Sequence, residues 1–272
     1  MKTCFNTITA GLEARLEDII AACGEVGFAG IEIDQRHVAA ALERMSMGEI
    51  KRLLDDALLT AASVMAFNLD PFGDPDAGLA AIRHGADIAR ALGAPILLTY
   101  CAADVPDGMN HHEARRRAGE RAALFADAAT PVTIALEPIG RTALMGGPVE
   151  AREIAHYSGR PNVGIMMDSF HYYLSRVPDG AIRAIPRQDL LIVHLNDAED
   201  RPISELQDSH RLHVGRGILP LQEDLALLRE IGYDGYVSVE IFRPEYWAQP
   251  VRQVVRETKE TLDAELARAG VA

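Results

Sequence analysis

The sequence predicts a (β/α)8 barrel, and three observations carry that expectation. Strand-like and helix-like segments alternate along the whole 272-residue chain, as in a fold built from repeated βα units. The strand-like runs are continuous apolar stretches, for example Leu190-Leu-Ile-Val193 and Val163-Gly-Ile-Met-Met167, as expected where both faces of a parallel sheet are covered. No Gly-x-Gly-x-x-Gly turn follows an early strand, which sets aside a doubly wound open sheet. Residues 1–272 read as a single domain, without an internal linker, low-complexity segment or short repeat beyond the βα unit.

The elements follow in order. Lys2 to Asn6 reads as the first strand. Leu12, Leu16, Ile19, Ile20 and Cys23 then recur at helical spacing, and Gly24 and Gly27 mark the stop. Gly30 to Asp34 is the second strand. Ser46 caps the next helix, with Glu49 at the capping-box position and Ile50, Leu53 and Leu54 on its apolar side. Thr60 to Phe67 is the third strand, followed by a polar loop over Pro71 to Pro75. A helix from about Asp76 carries Leu79, Ile82, Ile88 and Leu92, and Gly93 ends it.

Pro95 to Tyr100 is the fourth strand, and the Ala-rich stretch His112 to Ala129 the fourth helix. Pro131 to Glu137 is the fifth strand. Pro148 to Tyr157 is a helix with proline at an early position. Asn162 to Asp168 is the sixth strand, and Tyr172 to Ile185 is helical with a break at Pro178. Leu190 to His194 is the seventh strand, Leu219 to Ile231 a helix, and Gly235 to Glu240 the eighth strand. Val251, Val254, Val255, Thr258, Leu262 and Leu266 give the face of the last helix.

Composition excludes several classes. The chain has 27 basic and 40 acidic residues, a net charge of −13, and such a balance repels a phosphate backbone. Arg115-Arg-Arg117 is the sole basic run, and it reads as a solvated helix face. Nucleic acid is therefore not an expected partner. No apolar stretch approaches the ~18 residues of a membrane span. The opening Met1-Lys-Thr-Cys-Phe-Asn6 enters a strand and lacks the features of a signal peptide. Cys4, Cys23 and Cys101 are scattered without a Cys-x-x-Cys pair, which fits a reduced cytoplasm and no structural zinc.

Chemistry concentrates at the carboxyl ends of the last four strands. There stand Glu137, Asp168, His194 and Glu240, at the barrel face where functional groups project. One acid at a strand end reads as a helix cap or a satisfied polar group. Three carboxylates converging on a barrel mouth repel one another without a cation. Three oxygens and one imidazole nitrogen suit one divalent ion, Mn²⁺ first, with Co²⁺, Mg²⁺ and Zn²⁺ also accommodated. Four protein ligands leave room for a bidentate hydroxy-ketone.

Around this set stand further candidates. His171, three past Asp168, is either a cap or a contact to a ketone or hydroxyl oxygen. Asp197, in the acidic run after His194, belongs to a solvated loop or orients a ligand or hydroxyl. Arg211 is an exposed loop arginine or holds substrate oxygens. Trp247 packs or closes one pocket wall. Glu32 and Asp34 on the second strand are ambiguous. His111 and His112 read as a cap and a surface group, and His37, His84 and His156 as structural or surface residues.

With these residues in place the chain resembles the xylose isomerase-like sugar isomerase/epimerase barrels, and within them the inosose isomerases. The resemblance rests on Glu137, Asp168-Ser-Phe-His171, His194-Leu-Asn-Asp-Ala-Glu-Asp200, the Arg211 to Gly217 loop, and Val237-Ser-Val-Glu-Ile-Phe-Arg-Pro-Glu-Tyr246. The opening Met1 to Asn6 fits the same subgroup. The resemblance implies a divalent-metal site at Glu137, Asp168, His194 and Glu240, and substrate contacts at His171 and Arg211. It implies an enediol mechanism in which Glu137 and Glu240 transfer the proton, with 2-keto-myo-inositol as the expected substrate and inositol catabolism as the setting. Two departures stand out. Val214 replaces the proline that usually precedes the Gly-x-Gly turn, and the loops Asn68 to Asp76 and Ala102 to Asn110, expected to shape the pocket, match no pattern.

The same residues serve related outcomes. A ketose 3-epimerase shares the site, an inosose dehydratase eliminates water from the same enediolate, and a 3-keto-glycoside lyase, including cleavage of carbon–glycosidic bonds, expels a larger group. A non-enzymatic sugar-binding barrel would not need the four-residue set. The expected partner is a small polyol or keto-sugar. Self-association and a partner subunit both remain open to the sequence.

Overall fold

The computed structural model describes residues 1–271. Eight parallel strands close into a barrel: β1 (Lys2–Asn6), β2 (Gly30–Asp34), β3 (Thr60–Asn68), β4 (Ile96–Tyr100), β5 (Thr133–Glu137), β6 (Val163–Asp168), β7 (Leu190–His194) and β8 (Tyr236–Val239). Each pairs with its neighbours in chain order, and β8 returns to β1. The expected (β/α)8 barrel is thus the observed fold.

The strands read as unbroken apolar runs because the barrel buries both faces. Cys4, Ala62, Met65, Leu98, Ala135, Met166 and Ile192 fill the interior, while Phe5, Ile31, Val64, Leu97, Ile134, Ile165 and Val193 pack against the surrounding helices. At about 25 cal/mol per Å² of buried apolar surface, this double layer is the main stabilising term.

Local signals place most helices. Ser46 and Glu49 form the expected capping box on the helix Met47–Asp56. Gly93 ends Pro75–Leu92 in the left-handed region, with φ of 77°, a conformation that glycine adopts without a Cβ penalty. Pro148 opens Pro148–Ser158. The break at Pro178 separates two short helices, Ser169–Leu174 and Asp179–Arg183. The first begins before the expected Tyr172 because the Asp168 carboxylate accepts from the His171 amide and caps it.

Three details differ from the sequence reading. A helix spans Gln35–Leu42 directly after β2, capped by Asp34, and its Ala-rich composition hid the apolar period. Asn110 caps His111–Ala129, so His111 is the first helical residue and no cap. Asp197–Ala198 pairs antiparallel with Arg211–Leu212 above β7. That two-residue ladder folds the loop back and carries Arg211 over the barrel mouth. Among the described residues, no helix is long and apolar enough to cross a membrane.

Candidate metal centre

The barrel closes four strand ends onto one point. Glu137 and Asp168 end β5 and β6, His194 ends β7, and Glu240 is the first residue past β8. In register, Asp168 lies beside His194 and Ser238 beside His194, so adjacent ladders fix these side chains at one height. One ligand atom from each of the four lies within 4.8 Å of the others. All four are at most 5% exposed.

His194 leaves a donor atom open at the centre of the cluster. Its Nδ1 is buried without a hydrogen-bond partner among the described residues. It faces Glu240 Oε2 at 3.4 Å, Asp168 Oδ2 at 3.6 Å and Glu137 Oε1 at 3.8 Å. A nitrogen lone pair and three carboxylate oxygens around one gap form a donor set for a divalent cation. The residues present therefore fit the ion that the sequence led one to expect. On its other side, His194 Nε2 lies 2.8 Å from Glu32 Oε1.

Arg211 balances part of the charge. It is only 1% exposed, so the exposed-loop alternative does not hold. Nη1 donates to Asp168 Oδ2 at 2.7 Å and to Glu240 Oε2 at 3.3 Å, and Nε donates to Asp208. Nη2 meets His171 Nε2 at 3.1 Å. An arginine donates only, so His171 accepts there. The guanidinium is stacked between Phe170 and Phe242, with 4.7 and 5.6 Å to the ring centroids, a geometry a lysine would not reproduce.

Burial and neighbours set the protonation preferences. Burial first, then the Glu240 and Asp168 carboxylates, push Glu137 well above the usual carboxylate range. Burial opposes ionisation of Asp168, yet Arg211, His171 and His194 hold it well below its ordinary value. Burial also opposes charge on His194, but Glu32, Glu240 and Asp168 raise it well above the ordinary imidazole value. Burial lowers His171, against the pull of Asp168.

A cavity of about 450 Å³ opens over the centre. Glu137, His171, Arg211 and Glu240 line it, so the structure brings these candidates together. Two expected substrate contacts stand elsewhere. The Asp197 carboxylate is turned into its own loop, accepting from the amides of Ala198, Gly217 and Leu219. Trp247 lies over Gly11 and donates from Nε1 to Ile8 O at 3.0 Å, outside the cavity lining. The pocket walls also differ from expectation. They come from Gln35, Arg36, Met65, Ala66, Tyr100 and Phe242 rather than from the loops 68–76 and 102–110.

Sequence reasoning missed some participants. Asn6, at the end of β1, donates to Glu240 Oε1 at 3.3 Å, and the strand-end rule that found the acids would have found it. Phe170 and Phe242 flank Arg211 but carry no sequence mark that separates them from core residues. Of the distant histidines, His37 is buried against Thr7 and the Gly11 carbonyl, a structural role, while His84, His111, His112 and His156 are exposed.

Comparison with known proteins agrees with the geometry. A relative from Bacillus velezensis named inosose isomerase is 28% identical, over 98% of both chains. Another of that name from Halalkalibacterium halodurans is 27% identical, over 96% of this chain and 95% of its own. A solved structure of the IolI protein with a zinc atom superposes with a TM-score of 0.90 over 99% of both chains at 24% identity. The xylose isomerase-like TIM barrel model matches residues 20–264, and the chain belongs to that family.

Proposed function

We propose that this protein is a divalent-metal-dependent isomerase of unphosphorylated keto-polyols, acting through an enediolate, with 2-keto-myo-inositol as substrate and Mn²⁺ as the preferred ion. The observation that carries the reading is the pair Glu137 and Glu240, both lining the cavity and both within ligand reach of the unpartnered His194 Nδ1. A bound cation supplies polarisation of a ketone and its neighbouring hydroxyl, which acidifies the C–H between them.

The chain's own residues do the rest. One glutamate takes the carbon-bound proton and the opposite one gives a proton to the former ketone carbon, while the hydroxyl proton passes to the former ketone oxygen, so the carbonyl moves to the adjacent carbon. Glu240 is held in place by Asn6 and Arg211. Glu137 lines the cavity and accepts no side-chain hydrogen bond among the described residues. Arg211 and His171 face the substrate from one side and stabilise the developing negative oxygen.

The cavity's charge bears on the substrate class. Both arginines lining it are already engaged, Arg211 as described and Arg36 with Asp34 at 2.6 Å. Each is balanced by a neighbouring carboxylate, so the cavity carries no uncompensated positive charge of the kind a phosphate would call for. The volume suits a six-membered polyol ring, and Met65, Ala66, Tyr100 and Phe242 offer flat or apolar surface to its carbon face. The relatives named inosose isomerase support the same choice.

The test is solvent exchange. Metal-loaded protein is incubated in D₂O with 2-keto-myo-inositol, free ketohexoses and a 3-keto-glucoside, and deuterium incorporation and products are followed. The cyclitol ketone is expected to exchange and isomerise, and Glu137→Gln or Glu240→Gln to abolish both with the fold intact. Turnover of a ketohexose with none of the cyclitol would move the reading to a 3-epimerase. Full activity after chelation would sink the mechanism.

A further inference from the structure

Glu32 is an anomaly until it is given a task. It lies in the interior of the barrel on β2, with no exposed surface, where an ionised carboxylate is costly unless its bonds are satisfied. It does not line the cavity. Each of its two oxygens nonetheless has a partner. Oε2 accepts from Ser63 Oγ at 2.6 Å, and Oε1 lies 2.8 Å from His194 Nε2. Glu32 and Ser63 are register partners across β2 and β3, so the ladder itself, and not a loop, sets the position of this carboxylate.

The significance lies in which nitrogen of His194 carries the proton. A neutral imidazole has one N–H and one lone pair. On the Nδ1 side stand three carboxylate oxygens at 3.4 to 3.8 Å. Each is an acceptor, and together they favour a proton on Nδ1. That tautomer points an N–H into the gap and cannot bind a cation there. Among the described residues, the acceptor at hydrogen-bond distance on the other side is Glu32. A carboxylate at 2.8 Å from Nε2 draws the proton to the far nitrogen and turns the Nδ1 lone pair toward the centre. It also fixes the ring plane, and electron density pushed from the carboxylate strengthens the ligand.

We propose that Glu32, clamped by Ser63, is a positioning residue of the metal centre that selects the His194 tautomer able to ligate through Nδ1. This deepens the proposed function and rests on its metal site. Glu32 touches neither substrate nor cation. It acts through His194, from the opposite side of the barrel.

The experiment reads metal affinity and tautomer, not turnover alone. Wild-type protein labelled with ¹⁵N in histidine is loaded with Zn²⁺, and long-range ¹⁵N–¹H spectra assign the His194 proton. The proton is expected on Nε2, with Nδ1 shifted by the metal; a proton on Nδ1 overturns the proposal without any variant. Chelator competition then measures Mn²⁺ and Zn²⁺ affinity of Glu32→Gln and Ser63→Ala. Glu32→Gln is expected to bind either ion about 10- to 100-fold more weakly. Ser63→Ala, which leaves the carboxylate but frees its orientation, is expected to show a smaller loss. Wild-type affinity in a folded Glu32→Gln protein overturns the proposal, as does a lowered melting temperature with unchanged affinity, which would mark a structural role only. Wild-type protein that binds no divalent ion sinks the metal reading and this proposal with it. A wild type that binds metal equally to Glu32→Gln sinks this proposal alone.

Discussion

Arg211 Nη1 and Asp168 Oδ2 stand 2.7 Å apart in a barrel mouth where neither side chain is more than 1% exposed. The pair is anchored from two directions. Asp168 caps the helix that carries His171, and the ladder between Arg211 and Ala198 brings the arginine back over it. A buried ion pair gains little over an apolar pair, but breaking one strands the other charge.

Arg211→Ala should therefore destabilise the protein by about 3–5 kcal/mol, because Asp168 loses its main counter-charge. Arg211→Lys should fold better but lose the fork to Asp168 and Asp208 and the stack on Phe170 and Phe242. Its kcat/KM should fall by about 100-fold. Denaturant melts and steady-state kinetics measure the two effects. Loss of less than about 1 kcal/mol in Arg211→Ala would show that the charges are compensated elsewhere.

Metal binding should be visible as stability and as proton release. A divalent ion present at about 100 times its Kd raises stability by about 2.7 kcal/mol, and chelation should remove that increment. Glu137 and His194 are both raised by their surroundings, so each tends to hold a proton that a cation must displace. Affinity should accordingly rise with pH, and binding heats should depend on the ionisation enthalpy of the buffer. Calorimetry in two buffers checks this; identical heats would contradict it.

The four clustered side chains were legible because a parallel barrel projects strand ends to one face, and an acid closing an apolar run is conspicuous. What surrounds them was less so. Glu32 looked ambiguous because its partners, His194 and Ser63, lie far off in sequence and meet only when the barrel closes. Arg211 reads as a loop residue until the ladder with Ala198 forms. The helix Gln35–Leu42 escaped because Ala39-Ala-Ala41 carries little periodic signal. Asp197 and Trp247 were drawn to the pocket by nearness to functional residues in sequence, yet one satisfies backbone amides and the other covers Gly11.

Asp197 has a structural consequence of its own. Its carboxylate receives three amides, from Ala198, Gly217 and Leu219, and is 2% exposed. A Cβ at Gly217 would lie 1.9 Å from Ala198 O, so the turn is packed tightly against the ladder. Asp197→Ala should cost roughly 2–4 kcal/mol by leaving buried donors unpaired. Because the same ladder holds Arg211, KM should rise while metal affinity stays near wild type. An unchanged denaturation midpoint would refute the staple.

His213 gives a stability effect with a defined pH window. Its ring is stacked on Tyr246, with centroids 4.2 Å apart at 12°. Nδ1 lies 3.4 Å from Thr258 Oγ1, and Nε2 is buried without a hydrogen-bond partner among the described residues. The charged groups around it are Glu257, whose carboxylate is 3.8 Å from Nε2, and Arg216 and Arg243, which oppose a further positive charge. Burial is the largest effect and pushes the imidazole down to about 4. In the unfolded chain the ordinary value is about 6.5. The unfolded state then binds the proton first, so this contribution to stability is fully present above about pH 6.5. It is lost as pH falls through the folded value near 4. The full difference amounts to roughly 2–4 kcal/mol. His213→Phe keeps the stack on Tyr246 and removes the titrating group. At pH 7 the variant should lie within about 1 kcal/mol of wild type, and toward pH 4 it should become the more stable of the two. Urea melts at pH 7 and pH 4.5 measure the crossing, and parallel losses in both proteins on acidification would show that His213 does not set the acid limb.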